Sequence, residues 1–301
     1  MSLSEHRSGG LLSALLVVAL FTQGCVTATV DTSGVPPAPA TAARDTHEQL
    51  HAVLWVQTAA EYRALALQAF NLAAQMMDHA LADRSWSAAT EQTGNFASLP
   101  PAVIVDVDET VLDNSAYQAR LVRSGQSFSS ATWTRWVEEE QATATPGALE
   151  FALAAQRKGV TVFYVTNRKA IEKEQTRRNL QKLGFPMSPQ TDVILVRGER
   201  PEWSASDKTP RRSHIASSYR ILLQIGDNIG DFIADESASI EERFASTERY
   251  RAWWGTRWIM LPNPAYGHWE AAALDHRYDR PDAEQLRIKR GRLDTAGGGV
   301  D

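Results

Sequence analysis

The sequence lacks the features that mark several common protein classes. Its 301 residues include a single cysteine, Cys25, which excludes an internal disulfide and a zinc site built from several thiolates. No Walker-type glycine-rich loop and no G-x-S-x-G motif accompanies the strand-like segments, so neither a nucleoside-triphosphate motor nor a serine hydrolase is expected. The 31 basic and 36 acidic residues give a formal net charge of −5, and we therefore expect no nucleic-acid partner.

The amino-terminal segment has the organisation of a signal peptide. An apolar run at residues 11–21 is too short to span a bilayer and matches the hydrophobic region of a secretion signal. It ends at Gly24-Cys25, which resembles the processing site of bacterial lipoproteins. Residues 1–24 are therefore predicted to be a lipoprotein signal peptide, with the acylated Cys25 as membrane anchor. The alternative is a signal peptide that is cut elsewhere.

The sequence also predicts the local structure at both ends of the folded region. Residues 25–44 are rich in proline, alanine and threonine and predict a flexible tether. Asp45 and Glu48 resemble a helix-capping pair, and the apolar spacing after them predicts helix, with a break, to about residue 93. The polar residues 281–301 predict a short helix and a frayed tail.

Short β-branched runs alternate with helical patterns through the rest of the chain. Each run is typical of a strand buried on both faces, and they lie at residues 102–105, 160–165, 193–196, 221–225 and 258–261. This alternation predicts an α/β fold with a doubly wound, mainly parallel sheet and flanking helices. Because ligands bind such sheets at the carboxyl ends of the strands, the residues after each run are the candidates for a site.

Acidic, basic and hydroxyl side chains stand at these strand ends. They lie at residues 106–110 (DVDET), at Thr166 and Asn167, at Lys208 and Arg211, and at residues 226–231 (GDNIGD). Carboxylates gathered at one edge repel one another unless a cation lies among them. Oxygen ligands without histidine or cysteine suit Mg²⁺, and Mg²⁺ with a basic side chain and a hydroxyl binds a phosphoryl group. The sequence therefore predicts a Mg²⁺-dependent site for phosphoryl chemistry.

These segments resemble the signatures of a known family. Residues 104–117 (IVDVDETVLDNSAY) and 222–232 (LLQIGDNIGDF) are similar to the two signatures of the bacterial class C acid phosphatases, within the haloacid dehalogenase (HAD) superfamily. The similarity also covers three shorter segments, at residues 133–136, 163–168 and 260–270. It implies a HAD-like phosphatase domain over residues 45–280, with a small helical cap built from residues around 111–143 and the amino-terminal helices.

The resemblance implies a role for each matched carboxylate. Asp106 would be the nucleophile and a Mg²⁺ ligand. Asp108 would be the general acid/base and would give its backbone carbonyl to the metal. Asp227 would be the third protein ligand, and Asp231 would hold metal-bound waters. Because the general acid must be protonated, the resemblance predicts activity that favours mildly acid pH.

The groups that bind phosphate are implied in the same way. Thr166 and the amide of Asn167 would hold the phosphoryl oxygens. The family's phosphate-binding lysine is often the second basic residue of a Lys-x-x-Lys run, but here residues 208–211 read KTPR. Either Lys208 reaches the phosphate or Arg211 replaces the missing lysine. We favour Lys208, because a compact ammonium also bridges to Asp106.

The substrate expectation depends on two aromatic residues. Trp133 and Tyr266 match positions that pack against the organic part of the substrate in the family, and a nucleobase would stack on such rings. We therefore expect an acid phosphatase that hydrolyses nucleoside monophosphates and other small phosphomonoesters, lipid-anchored to the outer membrane and facing the periplasm or the cell exterior. The alternatives are a phosphotransferase or sugar-phosphate phosphatase on the same scaffold, or a catalytically inactive binding lipoprotein. A homodimer is left open.

One competing motif occurs near the tether. Residues 47–51 (HEQLH) fit H-E-x-x-H, the pattern of zinc metalloproteases. No third histidine follows at the metzincin spacing, and the motif stands where a helix is expected to begin. A solvated first helical turn is the favoured interpretation.

Overall fold

The computed structural model describes residues 46–235 and 237–297. The strands in these ranges are β1 (Pro101–Val105), β2 (Leu112–Asp113), β3 (Thr143–Ala144), β4 (Thr161–Lys169), β5 (Ile194–Arg197), β6 (Arg220–Gly226) and β7 (Trp258–Met260). The helices are α1 (Leu50–Thr58), α2 (Ala60–Ala82), α3 (Ser115–Ser124), α4 (Ser130–Glu139), α5 (Ala148–Arg157), α6 (Lys173–Leu183), α7 (Thr209–Ala216), α8 (Ile240–Arg249), α9 (His268–Ala273) and α10 (Asp282–Gly291).

Five strands form one parallel sheet in the order β5-β4-β1-β6-β7. The chain moves outward from β1 to β4 and β5, then returns to build β6 and β7 on the other side. The strand order therefore reverses at β1, and ligands bind such sheets at this switch point. Every residue of β6 is buried, as the continuous apolar run predicts. The predicted α/β fold, a parallel sheet with flanking helices, is confirmed.

A helical insertion follows β1. The strands β2 and β3 pair antiparallel, Leu112 with Ala144 and Asp113 with Thr143, and this ribbon closes the base of the insertion. Along the chain, the helices α3 and α4 come between β2 and β3. Helix α3 packs against α1. The insertion corresponds to the region predicted to contribute cap elements, and it rises from the same turn that carries the first acidic motif.

The predicted helix to about residue 93 is wrong beyond Ala82. Asp83 ends it, because its carboxylate accepts the backbone amide of Ser85 at 2.9 Å and forms a turn. The chain then runs beside β6, where the side-chain oxygen of Gln92 accepts the amide of Ile221 at 3.0 Å. These backbone and side-chain bonds to the sheet replace the helical bonds that the apolar spacing suggested.

The ends of the described region are tied together. Lys289 on α10 pairs with Glu48 at 2.8 Å and with Glu270 at 2.6 Å. Helix α1 begins only at Leu50, so Glu48 precedes it and does not cap it, while its predicted partner Asp45 lies outside the described residues. The signal peptide, Cys25 and the tether also lie outside them. Among the helices that the structure describes, none has the length and apolar character needed to cross a membrane.

Candidate active site

A tight turn at the end of β1 carries the first acidic motif. The amide of Asp106 donates to the carbonyl of Ile225 at 2.9 Å, so this residue continues the sheet ladder beyond the strand. The carbonyl of Val107 then accepts the amide of Val111 at 3.0 Å. Glu109 has a φ of 55°, a left-handed conformation that costs free energy for any residue with a side chain. The surrounding hydrogen bonds hold this strained turn at the switch point of the sheet.

Three carboxylates meet around one ammonium beside this turn. One oxygen from each of Asp106, Asp227 and Asp231 lies within 4.8 Å of the other two. The Nζ of Lys208 donates to Asp106 and, at 2.6 Å, to Oδ1 of Asp231. The hydroxyl of Thr110 lies 3.4 Å from Asp106 Oδ2 and 3.3 Å from Asp227 Oδ1. The structure thus brings together side chains that are far apart in the sequence, at the strand ends where they were expected.

The cluster holds more negative than positive charge. Burial raises the pKa of Asp106 to about 7, with Lys208 opposing the shift and Asp231 adding to it. Burial likewise raises the pKa of Asp227, and the charges of Asp231 and Asp106 reinforce this. Burial disfavours the ammonium of Lys208, but Asp106 and Asp231 outweigh that cost and raise its pKa. One ammonium faces three carboxylates, so further positive charge is favoured here.

Asp108 is held by a different set of donors. Nη2 of Arg168 donates to its Oδ1 at 2.8 Å, and Nε lies 3.0 and 3.2 Å from its two oxygens. Nδ2 of Asn114 donates to Oδ1 at 2.9 Å, and the hydroxyl of Thr166 donates to Oδ2 at 3.2 Å. The indole of Trp136 fixes Asn114 in turn, donating to its Oδ1 at 2.8 Å. The side chain of Asp108 therefore points into this network, and it is not one of the three clustered carboxylates.

The two basic residues of the KTPR run have different surroundings. Lys208 contacts the carboxylates, whereas Arg211 is completely buried among the loops. The guanidinium of Arg211 donates to the carbonyl of Thr166 at 2.5 Å and to the side-chain oxygen of Asn167 at 2.7 Å. It also donates to the carbonyls of Ser206 and Asp207, at 3.1 and 3.2 Å. Burial lowers the pKa of Arg211 to about 10.

The two predicted substrate-contacting aromatics approach the carboxylates through other side chains. The hydroxyl of Tyr266 donates to the carboxylate of Glu109. The ring centroid of Trp133 lies 5.4 Å from the guanidinium carbon of Arg168 and 5.2 Å from the ring centroid of Tyr117. Both residues are half-buried.

The sequence analysis missed residues that hold the predicted ones in place. Arg168 is the main example, and its position directly after Thr166 and Asn167 was the available signal. Asn263 is another, since its Nδ2 donates to Asp227 Oδ2 at 2.8 Å. Glu109 is a third: it is buried, and that burial raises its pKa well above the usual range. Nothing in its sequence position shows that it meets Tyr266, because that contact depends on the tertiary fold.

The H-E-x-x-H motif does not form a helical pair. His47 precedes α1, and its Nε2 lies 3.2 Å from the carbonyl of Gln126 in the insertion, while His51 is exposed. In residues 46–235 and 237–297, the group of metal-ligating side chains that comes together is the aspartate cluster. The zinc interpretation of residues 47–51 therefore gains no support.

A parallel sheet with an aspartate cluster, a buried lysine and a helical insertion at the end of its central strand has the architecture of HAD-like phosphatases. The family model for the HAD superfamily, subfamily IIIB (acid phosphatase), matches residues 17–269 of this chain. The chain therefore belongs to this family of phosphomonoester hydrolases. The resemblance and the HAD-like fold expected from the sequence are both confirmed.

Solved and curated relatives agree with this assignment. The class C acid phosphatase from Bacillus anthracis superposes with a TM-score of 0.72 at 34% identity, covering 82% of this chain and 97% of that one. Its structure with tungstate bound gives a TM-score of 0.71 at 33% identity and the same coverage. Acid phosphatase 1 from Solanum lycopersicum is 26% identical over 166 residues, 54% of this chain and 57% of that protein. The stem 31 kDa glycoprotein of Glycine max is 24% identical over 163 residues, 54% of this chain and 58% of that protein. The matches thus span just over half the length of these curated relatives.

Proposed function

We propose that this chain is a Mg²⁺-dependent acid phosphatase that hydrolyses phosphomonoesters through an aspartyl-phosphate intermediate. The observation that carries the proposal is the meeting of Asp106, Asp227, Asp231 and the ammonium of Lys208 at the carboxyl end of the central strand. A buried carboxylate beside an ammonium and two further carboxylates is an arrangement that suits phosphoryl transfer. The names of the Bacillus and Solanum relatives support the acid phosphatase activity.

The donor set fits a hard divalent cation. The clustered ligands are all carboxylate oxygens, and burial, reinforced by the neighbouring carboxylates, raises the pKa values of Asp106 and Asp227. Asp106 and Asp227 would hold the ion with the backbone carbonyl of Asp108, whose side chain is engaged by Arg168. Asp231 would hold the waters of the ion. Bound Mg²⁺ would neutralise the carboxylates and the phosphoryl oxygens.

The carboxyl groups divide the reaction into two displacements. First, an oxygen of Asp106 attacks phosphorus, the bond from phosphorus to the leaving oxygen breaks, and Asp108 gives its proton to that oxygen. Next, Asp108 takes a proton from water, the water oxygen attacks phosphorus, and the bond between phosphorus and Asp106 breaks. Inorganic phosphate leaves, and both carboxyl groups return to their starting states.

We assign the phosphoryl oxygens to Lys208, the amide of Asn167 and the hydroxyl of Thr166, which would turn from Asp108 to the phosphoryl group when the substrate binds. The support for Lys208 is its contact with Asp106, because the phosphoryl group must lie next to the attacking oxygen. Arg211, the other basic residue considered, has its guanidinium occupied by loop carbonyls and by Asn167. Its role in this proposal is to hold the end of β4, which presents Thr166 and Asn167.

Phosphate release from a panel of monoesters tests the proposal. Residues 26–301 are assayed with alkyl, aryl and nucleoside phosphates, in Mg²⁺ and after chelation. We expect release that requires the divalent ion and returns when Mg²⁺ is restored. No release from any ester by folded protein in Mg²⁺ would contradict the proposal and favour an inactive binding lipoprotein. Transfer of the phosphoryl group to an added alcohol would identify a phosphotransferase.

We propose nucleoside monophosphates as preferred substrates. The support is the half-buried ring of Trp133, which lies against Arg168 and so close to Asp108, and the half-buried ring of Tyr266, whose hydroxyl donates to Glu109. Membrane anchoring through Cys25, a location in the outer membrane and a homodimer remain proposals that come from the sequence alone.

A substitution at Trp133 tests the substrate preference. Trp133→Leu keeps an apolar cover over Arg168 but removes the aromatic face. Stacking of a base is worth about 1–3 kcal/mol, so we expect the ratio of kcat/KM for a nucleotide to that for glycerol phosphate to fall about tenfold. Using the ratio cancels any effect common to both substrates. An unchanged ratio would count against recognition of the base by Trp133.

A further inference from the structure

Arg168, near the end of β4, has a buried side chain that is surrounded by polar and charged partners. Its side chain is 1% exposed, and a buried guanidinium must find a counter-charge and acceptors for its N–H groups. Nη1 donates to the hydroxyl of Thr176 at 3.1 Å, and that hydroxyl donates to the carbonyl of Glu172 at 2.7 Å. One side of the guanidinium is thereby anchored to the start of α6. The other side, Nε and Nη2, is presented to Asp108.

The contact between Arg168 and Asp108 fixes a carboxyl group that is only partly buried. The side chain of Asp108 is 18% exposed, so it remains accessible to a substrate or to water. Arg168 engages both of its oxygens, and the donors of Asn114 and Thr166 take one oxygen each. A carboxylate with donors on both oxygens has one preferred rotamer. The half-buried ring of Trp133 covers the guanidinium of Arg168 and limits the movement of that guanidinium.

We propose that Arg168 is a positioning residue for proton transfer by Asp108. This inference rests on the proposed function, in which Asp108 is the general acid/base. Arg168 holds the carboxyl group in one orientation and balances the negative charge that Asp108 acquires when its proton passes to the leaving oxygen. Arg168 does not touch the substrate, and its effect on the reaction passes through Asp108.

The leaving group distinguishes this role from a structural one. An alkoxide is a poor leaving group and needs a proton as its bond to phosphorus breaks, whereas 4-nitrophenolate departs without one. General acid catalysis is worth about 10²–10⁴-fold where the proton is needed, and a misplacement of about 1 Å can cost 10²-fold. A loosened Asp108 must therefore slow alkyl esters far more than nitrophenyl esters. A general loss of folding or of metal would slow both classes equally.

The experiment compares kcat/KM for 4-nitrophenyl, phenyl and glycerol phosphates in saturating Mg²⁺. For Arg168→Met we expect a loss of about 10²-fold on glycerol phosphate and of less than about tenfold on 4-nitrophenyl phosphate. Arg168→Lys keeps the positive charge but loses the two-pronged guanidinium. Its kcat/KM for glycerol phosphate should therefore lie between the values for the parent and for Arg168→Met. Arg135→Met, an exposed arginine on the same helix as Trp133, is the matched control and should match the parent.

A double variant separates this inference from the function on which it rests. In an Asp108→Asn background, adding Arg168→Met should have no further effect, because the group that Arg168 positions is already gone. An equal loss on all three esters, or an additive loss in the double variant, would overturn the role of Arg168. Full activity of Asp108→Asn on glycerol phosphate would instead overturn the assignment of Asp108. If Arg168→Met does not fold, Arg168→Lys supplies the same leaving-group comparison.

Discussion

Replacing Asp106 with asparagine is expected to lower phosphate release by at least about 10³-fold, because an amide cannot form the acyl phosphate that the reaction requires. The measurement is kcat/KM in saturating Mg²⁺ with 4-nitrophenyl phosphate. This constant reports on the first displacement, which for this ester does not need the proton of Asp108, so its loss reports on the nucleophile.

The same substitution is expected to leave the fold intact. Asp106 lies in a cluster where three carboxylates share one ammonium, and its pKa is raised to about 7 by burial. Removing one of these charges relieves repulsion, so the melting temperature of the metal-free protein should stay unchanged or rise. Asp279→Asn, an exposed position, is the control for a neutralised aspartate. Near-normal turnover by the Asp106 variant would remove Asp106 as nucleophile.

The second large effect concerns Lys208. Lys208→Met keeps the length and apolar stem of the side chain but removes the ammonium that contacts Asp106 and Asp231. Removing one preorganised donor from a phosphoryl site costs about 10²–10³-fold in kcat, and we expect a loss of that size in saturating Mg²⁺. The loss should appear in every ester of the panel, since the phosphoryl group is common to all of them.

Arg211→Met is the matched comparison for Lys208→Met. Arg211 is completely buried and donates to loop carbonyls that would be left without partners, each costing about 1–3 kcal/mol. We therefore expect a marked fall in melting temperature, with kcat of the folded fraction reduced less than in the Lys208 variant. The reverse pattern, a stable but inactive Arg211 variant and an active Lys208 variant, would assign the phosphate to Arg211.

Much of the fold could be predicted from the sequence because its strands are buried on both faces. Such strands need continuous β-branched and leucine runs, and those runs marked all five strands of the parallel sheet to within a few residues. The segment after α2 could not be predicted in the same way. Its apolar residues continue a helical spacing, but Asp83 ends the helix and Gln92 bonds to β6. Competition between local and long-range hydrogen bonds is not visible in spacing alone.

The candidate site was predictable where its residues directly follow strands. Asp106 and Asp227 stand at adjacent strand ends, and parallel strands bring such residues together. The contacts that hold the acidic side chains of the first motif were not predictable, because the partner residues come from elements distant in the chain. Arg168 meets Asp108 across two neighbouring strand ends, and Tyr266 meets Glu109 across 157 residues. The sequence does not show which of Lys208 and Arg211 lies beside Asp106, since both are basic and lie one helical turn apart, whereas in the structure Lys208 makes that contact.

The central claim is that the phosphoryl group passes through Asp106, and Asp108→Asn allows this step to be isolated. With 4-nitrophenyl phosphate the first displacement needs no proton from Asp108, but hydrolysis of the intermediate needs it as base. We predict a burst of about one nitrophenol per chain, and mass spectrometry of the acid-quenched protein should place one phosphoryl group on the peptide that contains Asp106. Steady release without a burst, and no phosphoryl group on that peptide while the parent enzyme turns the ester over, would contradict the account.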